Sequence, residues 1–323
     1  AYADVSPNEL FELYSDNSDD SGPTYGYYKL SEQECYHWQD TKEEYQDTPN
    51  SLWGGYYSAI AAANMALNAI EEKGNPASLD PQRGEALVCR AYCHFMLANI
   101  FCNAYDTHAS QSLGVPYMEE VETTVSPRYE RGTLEEVYRK VERDLLEGID
   151  LISDDSYSVP KYHFTRKAAY AFAARFYLYY MKPDFSNCDR VIDFATRVLG
   201  TNPADLLRNW EALGNLSVNG NVQADAYIAS SNEANLLISS TVSNWGAIGS
   251  DYLIGPRYFH NQTLATSETC LSSGLWGSSD YFYLKPFSTN GFVASILRKS
   301  GLYEGTYLSL IHISEPTRQE AIS

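Results

Sequence analysis

Aromatic side chains beside small polar residues form the most specific chemical pattern in this sequence. Trp276 lies in the segment GLWGSSD, and Trp245 stands between an asparagine and a glycine. An indole or phenol ring can stack on the apolar C–H face of a sugar, while neighbouring Asn, Asp and Ser side chains bond its hydroxyl groups. Trp38 and Tyr252 have similar neighbours. We therefore predict that Trp276 and Trp245, followed by Trp38 and Tyr252, bind a ligand; the alternative is that some of these rings fill a core beneath long loops.

These aromatic residues need a scaffold, and residues 53–200 carry the apolar pattern of helices. Five segments there place apolar residues on one face at helical spacing: 56–73, 81–105, 134–152, 166–182 and 188–199. Each apolar face is too narrow to be stable alone, whereas antiparallel helix pairs stacked into a short solenoid would bury all of them. We predict a mainly α fold of tetratricopeptide-like helix pairs, although no clean period of about 34 residues is present. Trp53, at the start of the first helix, is predicted to be a packing residue.

After residue 200 the helical spacing of apolar residues is no longer regular. Residues 205–213 fit one short helix and residues 235–242 fit one strand, and long aromatic-rich loops follow. The predicted plan is a single domain over 1–323 with a helical core (53–200), a loop-rich ligand-binding part (201–308) and a tail (309–323). The tail resembles translated sequencing adaptor, and we expect it to be non-native.

The net negative charge of the chain argues against nucleic acid as a ligand. The 323 residues include 23 Lys and Arg against 42 Asp and Glu, a formal net charge of −19. Nucleic-acid binding needs clustered basic residues, so we predict no nucleic-acid partner. Arg90 and Arg175 fall on otherwise apolar helix faces. Because a lone buried charge costs several kcal/mol, we expect at least one of the two to be buried and paired with a carboxylate.

Motifs for catalysis and metal binding are missing from the sequence. It contains no nucleophile elbow, no Walker loop and no dinucleotide-binding glycine pattern. Cys89, Cys93 and His94 come nearest to a metal cluster, but His94 lies about 100° round the helix from Cys93, so the three do not converge. We therefore predict a protein that is not an enzyme and that uses no cofactor and no metal. A glycoside hydrolase has only the general acidity of the chain in its favour, since the sequence places no pair of carboxylates across a glycosidic bond.

Four stretches, in order, resemble the SusD/RagB family, the outer-membrane nutrient-binding lipoproteins of Gram-negative bacteria. The first is WGGYYSAIAAAN at 53–64, and the second is RGEALVCRAYCHF at 83–95, followed by GVPY at 114–117. The third joins Pro127-Arg128 to the apolar positions of 137–149, and the fourth is TRKAAYA at 165–171 with its continuation to Tyr179. Together they cover about 53–200.

The resemblance implies a cell-surface protein that binds an oligosaccharide or another nutrient and delivers it to a SusC-type TonB-dependent transporter. It also implies an outward-facing protein attached to the outer membrane by a lipid anchor. The family's lipobox cysteine is missing, so we expect the sequence to be a fragment without its anchor. Ligand-contacting residues differ between members of the family, so none is transferred to this chain. The alternative function is a tetratricopeptide-type protein-interaction scaffold without a small ligand.

Overall fold

The computed structural model describes residues 5–16, 18–20, 29–44, 46–124, 127–216, 222–239, 257–260, 269–272 and 281–284. The helices in this part are α1 (Asn8–Tyr14), α2 (Leu30–Tyr36), α3 (Pro49–Glu71), α4 (Asp80–Phe101), α5 (Leu134–Leu151), α6 (Arg166–Tyr179), α7 (Cys188–Leu199), α8 (Trp210–Gly214) and α9 (Val222–Ile228). Short 3₁₀ turns lie at Ala77–Leu79, Asp154–Ser156, Pro160–Tyr162 and Pro203–Leu206. The strands are β1 (Ser18–Asp20), β2 (Tyr258–His260), β3 (Thr269–Ser272) and β4 (Tyr281–Leu284), paired antiparallel as β1–β2 and β3–β4.

The chain divides into two compact units. The first consists mainly of Trp53–Leu207, with Glu233–Ser239. The second draws its described residues from Asp4–Leu52, from Arg208–Asn232 and from the segments that contain β2, β3 and β4. Within the second unit the side chain of Arg257 forms two hydrogen bonds to Asp20, at 2.6 and 2.7 Å, next to the β1–β2 pair.

Helices α4 and α5 form the centre of the first unit and run antiparallel. Arg90 of α4 pairs with Asp144 of α5, and further along α4 the ring of Phe95 meets Tyr138, which lies earlier on α5. At the other end Gly84 and Gly148 face each other so closely that a Cβ on either residue would lie 2.7 Å from the other's carbonyl oxygen. The two glycines therefore set how near the backbones come.

Helices α6 and α7 form a second antiparallel pair. Tyr177 of α6 stacks on Phe194 of α7 with a ring-centroid distance of 5.8 Å. The fully buried Tyr177 hydroxyl donates to Glu142 of α5 at 2.8 Å and accepts from Arg190 of α7 at 2.7 Å. One tyrosine therefore joins three helices through both its ring and its hydroxyl. The mainly α, tetratricopeptide-like class is confirmed.

Two helix starts follow capping signals in the sequence. Thr133 and Glu136 form the reciprocal capping box that starts α5, and Thr165 accepts from the backbone N–H of Ala168 at the start of α6. The segment expected to run to 105 ends at Phe101, and the one expected from 56 begins at Pro49.

Two expectations beyond residue 200 have different outcomes. The short helix expected at 205–213 is divided between the 3₁₀ turn Pro203–Leu206 and α8. Residues 235–239, the described part of the expected strand at 235–242, are not a strand. The backbone N–H of Ile238 instead donates a hydrogen bond to the carbonyl of Lys161 at 2.7 Å. No helix in the described residues is long and apolar enough to cross a membrane.

Of the two arginines on apolar helix faces, Arg90 is buried and Arg175 is not. Only 6% of Arg90 is exposed, and its Nε donates to Asp144 at 2.6 Å. Arg175 is exposed, and its guanidinium lies over the rings of Phe95 and Tyr179, 5.9 and 5.8 Å from their centroids. The expected burial of at least one paired arginine is confirmed.

The close approach of α4 and α5 predicts a large stability difference between two glycine substitutions. Gly148→Ala should lower the free energy of unfolding by about 1–3 kcal/mol, because its methyl group meets backbone that cannot rotate away. Gly54→Ala, in an exposed helical position with open space around it, should raise the free energy of unfolding by roughly 0.5–1 kcal/mol. Urea unfolding of both variants checks this, and equal effects would show that the helix contact is not tight.

Candidate functional site

Trp38 is the one predicted ligand residue that lies in the described part of the chain. Trp276, Trp245 and Tyr252 lie outside the described residues. The Trp38 side chain is 73% exposed, and its ring centroid lies 4.6 Å from that of Tyr14, at an interplanar angle of 42°. Burial, with the nearby Cys35, raises the pKa of Tyr14 to about 12, so Tyr14 forms a neutral support for the indole at physiological pH.

The end of α2 holds Trp38 in a strained backbone conformation. Its φ is +56°, in the left-handed region that glycine normally occupies after a helix. The backbone N–H of Trp38 donates to Cys35 at 3.0 Å, and that of Gln39 donates to Glu34 at 2.8 Å, which is the hydrogen-bond pattern of a Schellman motif. A side chain there costs roughly 1 kcal/mol or more.

Polar residues flank Trp38 in the sequence. His37, Gln39 and Asp40 are all exposed. Their side chains carry the kinds of hydrogen-bond donors and acceptors that the hydroxyl groups of a sugar require beside an aromatic ring. In the residues that the structure describes, no group of His, Cys, Asp or Glu could hold a metal ion.

A second concave surface, called here the α3 groove, lies in the first unit. It runs along α3 and is closed on one side by the segment 116–122, with a cavity volume of about 460 Å³. Its lining residues are Trp53, Gly54, Tyr57, Ser58, Ile60, Ala61, Asn64, Met65, Pro116, Met118, Glu120, Val121, Glu122 and Tyr129. Trp53 has the predicted packing contacts, with ring centroids 4.9 Å from Tyr57 and 5.1 Å from Phe101, but it also lines this groove.

Side chains of α3 hold the wall of the groove through its backbone carbonyls. The hydroxyl of Tyr57 donates to Pro116 at 2.8 Å. The amide nitrogen of Asn64 donates to the carbonyls of Met118 and Glu120, at 3.1 and 3.3 Å. The wall therefore follows α3 because its polar backbone atoms find their partners there.

A buried polar network supports the same wall from α4. Arg90 donates to the side-chain oxygen of Asn64 at 3.0 Å and to the carbonyl of Glu119 at 3.3 Å, in addition to its bond with Asp144. His94 accepts from the backbone N–H of Met118 through Nε2 at 3.0 Å. Since Nε2 accepts, Nδ1 carries the proton and donates to the carbonyl of Arg90 at 2.9 Å.

Two further contacts complete the network. Tyr117 stacks on His94 at a ring-centroid distance of 3.8 Å, and its hydroxyl donates to Asp144 at 2.7 Å. Burial lowers the pKa of His94 to about 3, so the ring is neutral at physiological pH. The sequence reasoning missed Asn64, His94 and Tyr117 as parts of one network. Their only signal was that each lies within a stretch that resembles the family.

Charges beside the groove are mostly neutralised. Glu119 pairs with Lys140 at 2.5 Å and with Arg143 at 2.7 Å. Partial burial opposes the charged form of Glu119, but the hydrogen bonds from Lys140 and Arg143 outweigh it and lower the pKa of this carboxyl. Arg143 also contacts Asp144 at 2.6 Å.

The family model described as "Starch-binding associating with outer membrane" matches residues 1–178, more than half of the chain. The chain belongs to the SusD-like family. The resemblance inferred from the sequence is thereby confirmed. No curated protein matches the chain in sequence.

Solved structures show the same SusD-like fold. A SusD superfamily protein from Bacteroides thetaiotaomicron VPI-5482 has 20% identity and a TM-score of 0.52, with 66% of this chain and 45% of that chain covered. One from Bacteroides vulgatus ATCC 8482 has 22% identity and a TM-score of 0.52, with 66% and 46% covered. A laminarin-binding SusD-like protein has 19% identity and a TM-score of 0.51, with 86% and 57% covered. The SusD-like chain thus spans about half the length of these structures.

The neutral, buried His94 predicts acid sensitivity of the fold. Its pKa is about 3 in the folded state against an ordinary value of 6.5, so the unfolded state binds the proton more tightly and stability falls as the pH drops from 6.5 towards 3. Between pH 7 and pH 4.5, His94→Gln should lose about 2 kcal/mol less stability than the parent. Urea unfolding at both pH values measures this difference. The matched control is His108→Gln, at an exposed histidine, and a parent-like slope in His94→Gln would contradict the prediction.

The strained backbone at Trp38 predicts an order of stability between two substitutions that both remove the indole. Trp38→Gly should be more stable than Trp38→Ala by about 1 kcal/mol, because glycine adopts φ of +56° without strain and alanine does not. The same pair at Leu52, inside helix α3, should show the reverse order. Thermal and urea unfolding compare the four variants, and a less stable glycine variant at Trp38 would mean that the position is unstrained.

Proposed function

We propose that this SusD-like protein binds an oligosaccharide at the cell surface and delivers it to a SusC-type TonB-dependent transporter in the outer membrane. The observation that carries the proposal is the exposed indole of Trp38, supported by Tyr14 and held in a strained backbone. The family description supports glycan binding and the location at the outer membrane, and a laminarin-binding neighbour supports a glucan as the ligand.

The physical basis is stacking on a platform that is already in place. A sugar that stacks on Trp38 need not order the ring first, because Tyr14 and the helix end fix it in the unbound protein. His37, Gln39 and Asp40 would then bond the hydroxyl groups at the sugar's edge. Trp276, Trp245 and Tyr252, in the part proposed to bind ligand (201–308), stay candidate platforms for the same ligand.

The remaining parts of the proposal concern setting and chemistry. The protein would face outward from the outer membrane on a lipid anchor. The helical core at 53–200 would act as a rigid support, and binding would involve no catalysis, cofactor or metal. Delivery requires a transporter partner, so full-length protein should co-purify with a SusC-type transporter from outer membranes. Cells that lack it should grow poorly on the glycan it binds.

Calorimetry with oligosaccharides of starch and of laminarin tests the binding step. Trp38→Ala should weaken binding of the glucan that the parent binds by about tenfold, since one stacked ring contributes on the order of 1 kcal/mol or more. Phe185→Ala is the matched control, because Phe185 is also aromatic, 66% exposed and at a φ of +55°. Parent-like affinity in a folded Trp38→Ala variant would overturn Trp38 as the platform. If the folded parent binds no glycan in a wider panel, the scaffold function without a small ligand is favoured.

A further inference from the structure

The α3 groove combines an apolar floor with an acidic wall. Trp53 and Tyr57 contribute aromatic rings to the floor, and Ile60 and Met65 contribute aliphatic surface. The wall includes Glu120 and Glu122, both of them exposed acidic residues. Between Gly54 and Met65 the lining follows α3 for about 16 Å at the helical rise per residue.

The side-chain donors that line the groove are mostly used within the protein. Tyr57 and Asn64 donate to the carbonyls of the wall, and Ser58 donates to the carbonyl of Gly54 at 2.8 Å. Tyr129 donates to Glu122 at 2.7 Å. A ligand in the groove therefore meets mainly acceptors, and it must bring donors of its own.

The acidic residues of the groove wall, Glu120 and Glu122, differ from Asp144 and Glu119, which form ion pairs with basic residues. Arg90, Lys140 and Arg143 pair with Asp144 and Glu119, outside the groove. Among the described residues no Lys or Arg lines the groove, and Glu120 has no ion pair there. Carboxylates beside Trp and Tyr rings attract a cation by charge and through the ring faces.

We propose that the α3 groove is a binding site for a ligand that carries a protonated amine on an apolar body, and that its ligand is a short chain of amino sugars of the glucosamine type. The C–H face of such a sugar packs on Trp53 while the ammonium group donates to Glu120 or Glu122. The two carboxylates attract an ammonium group by charge, whereas a neutral sugar lacks this attraction. A volume of about 460 Å³ lies in the range of roughly 300–1,000 Å³ for small-molecule pockets. The claim that the ligand is an amino sugar rests on the proposed glycan function, whereas the claim that it carries a protonated amine does not.

Calorimetry at pH 6 and low salt tests the site with a β-1,4 trisaccharide of glucosamine and with cellotriose, its neutral counterpart. The glucosamine trisaccharide should bind, cellotriose should bind at least tenfold more weakly, and added NaCl should weaken the first. Glu120→Gln and Glu122→Gln should each weaken trisaccharide binding roughly fivefold, the value expected for one partly exposed ion pair. Glu130→Gln, which removes an exposed charge outside the groove, is the matched control and should bind like the parent.

Two crossed measurements separate this proposal from the proposed glycan site. Trp38→Ala should keep glucosamine-trisaccharide binding, and the Glu120→Gln/Glu122→Gln variant should keep binding of the starch or laminarin oligosaccharide. No binding of the trisaccharide, equal binding of cellotriose, or parent-like binding in the double glutamine variant overturns the amine site, whatever happens at Trp38. Choline is the third probe: displacement of the trisaccharide by choline at equal affinity overturns the amino-sugar identity.

Discussion

The buried ion pair between Arg90 and Asp144 is the interaction on which the first unit depends. An arginine removed from water is stable only when its donors are met, and here they are met by a carboxylate of α5, an amide oxygen of α3 and a backbone carbonyl of the 116–122 segment. Loss of one partner would leave an uncompensated charge in the core, at about 3–5 kcal/mol. Three separate segments are thereby fixed in register around one guanidinium, and the α3 groove exists because the 116–122 segment is held against α3.

The helices of the core could be read from the sequence, because apolar spacing and caps are local signals. The capping box at Thr133 is an example, and so is Arg90, whose charge on an apolar face was enough to predict burial with a carboxylate. The identity of that carboxylate was not predictable, since it depends on how α4 and α5 align.

Trp38 could be chosen as a candidate from its neighbours in the sequence. Its backbone strain could not be predicted, since glycine is the usual signal for that backbone conformation. The groove could not be foreseen either: Trp53 does pack as predicted, and only the position of the 116–122 segment gives it a second role.

The two candidate sites are built on different physical grounds. At Trp38 a helix end holds one large ring in solvent, at a cost in backbone strain of roughly 1 kcal/mol or more. In the α3 groove the apolar surface is ordinary helix surface. The chemical character of the groove depends on which side-chain donors are already bonded to the carbonyls of the wall. Donors that hold the wall in place cannot serve a ligand, so in the proposed site the contacts that support the wall would also restrict the ligand's chemistry.

The contact between Gly84 and Gly148 has a consequence for how this scaffold can vary. Where two side chains touch, a larger residue on one helix can be offset by a smaller one on the other. Here each missing side chain would meet main-chain atoms of the opposite helix, and no residue is smaller than glycine. Neither position can compensate for the other, so α4 and α5 form a spacer of fixed width. Chemical diversity in proteins with this arrangement has to arise in the segments that the helices carry, where a change of residue leaves that width untouched.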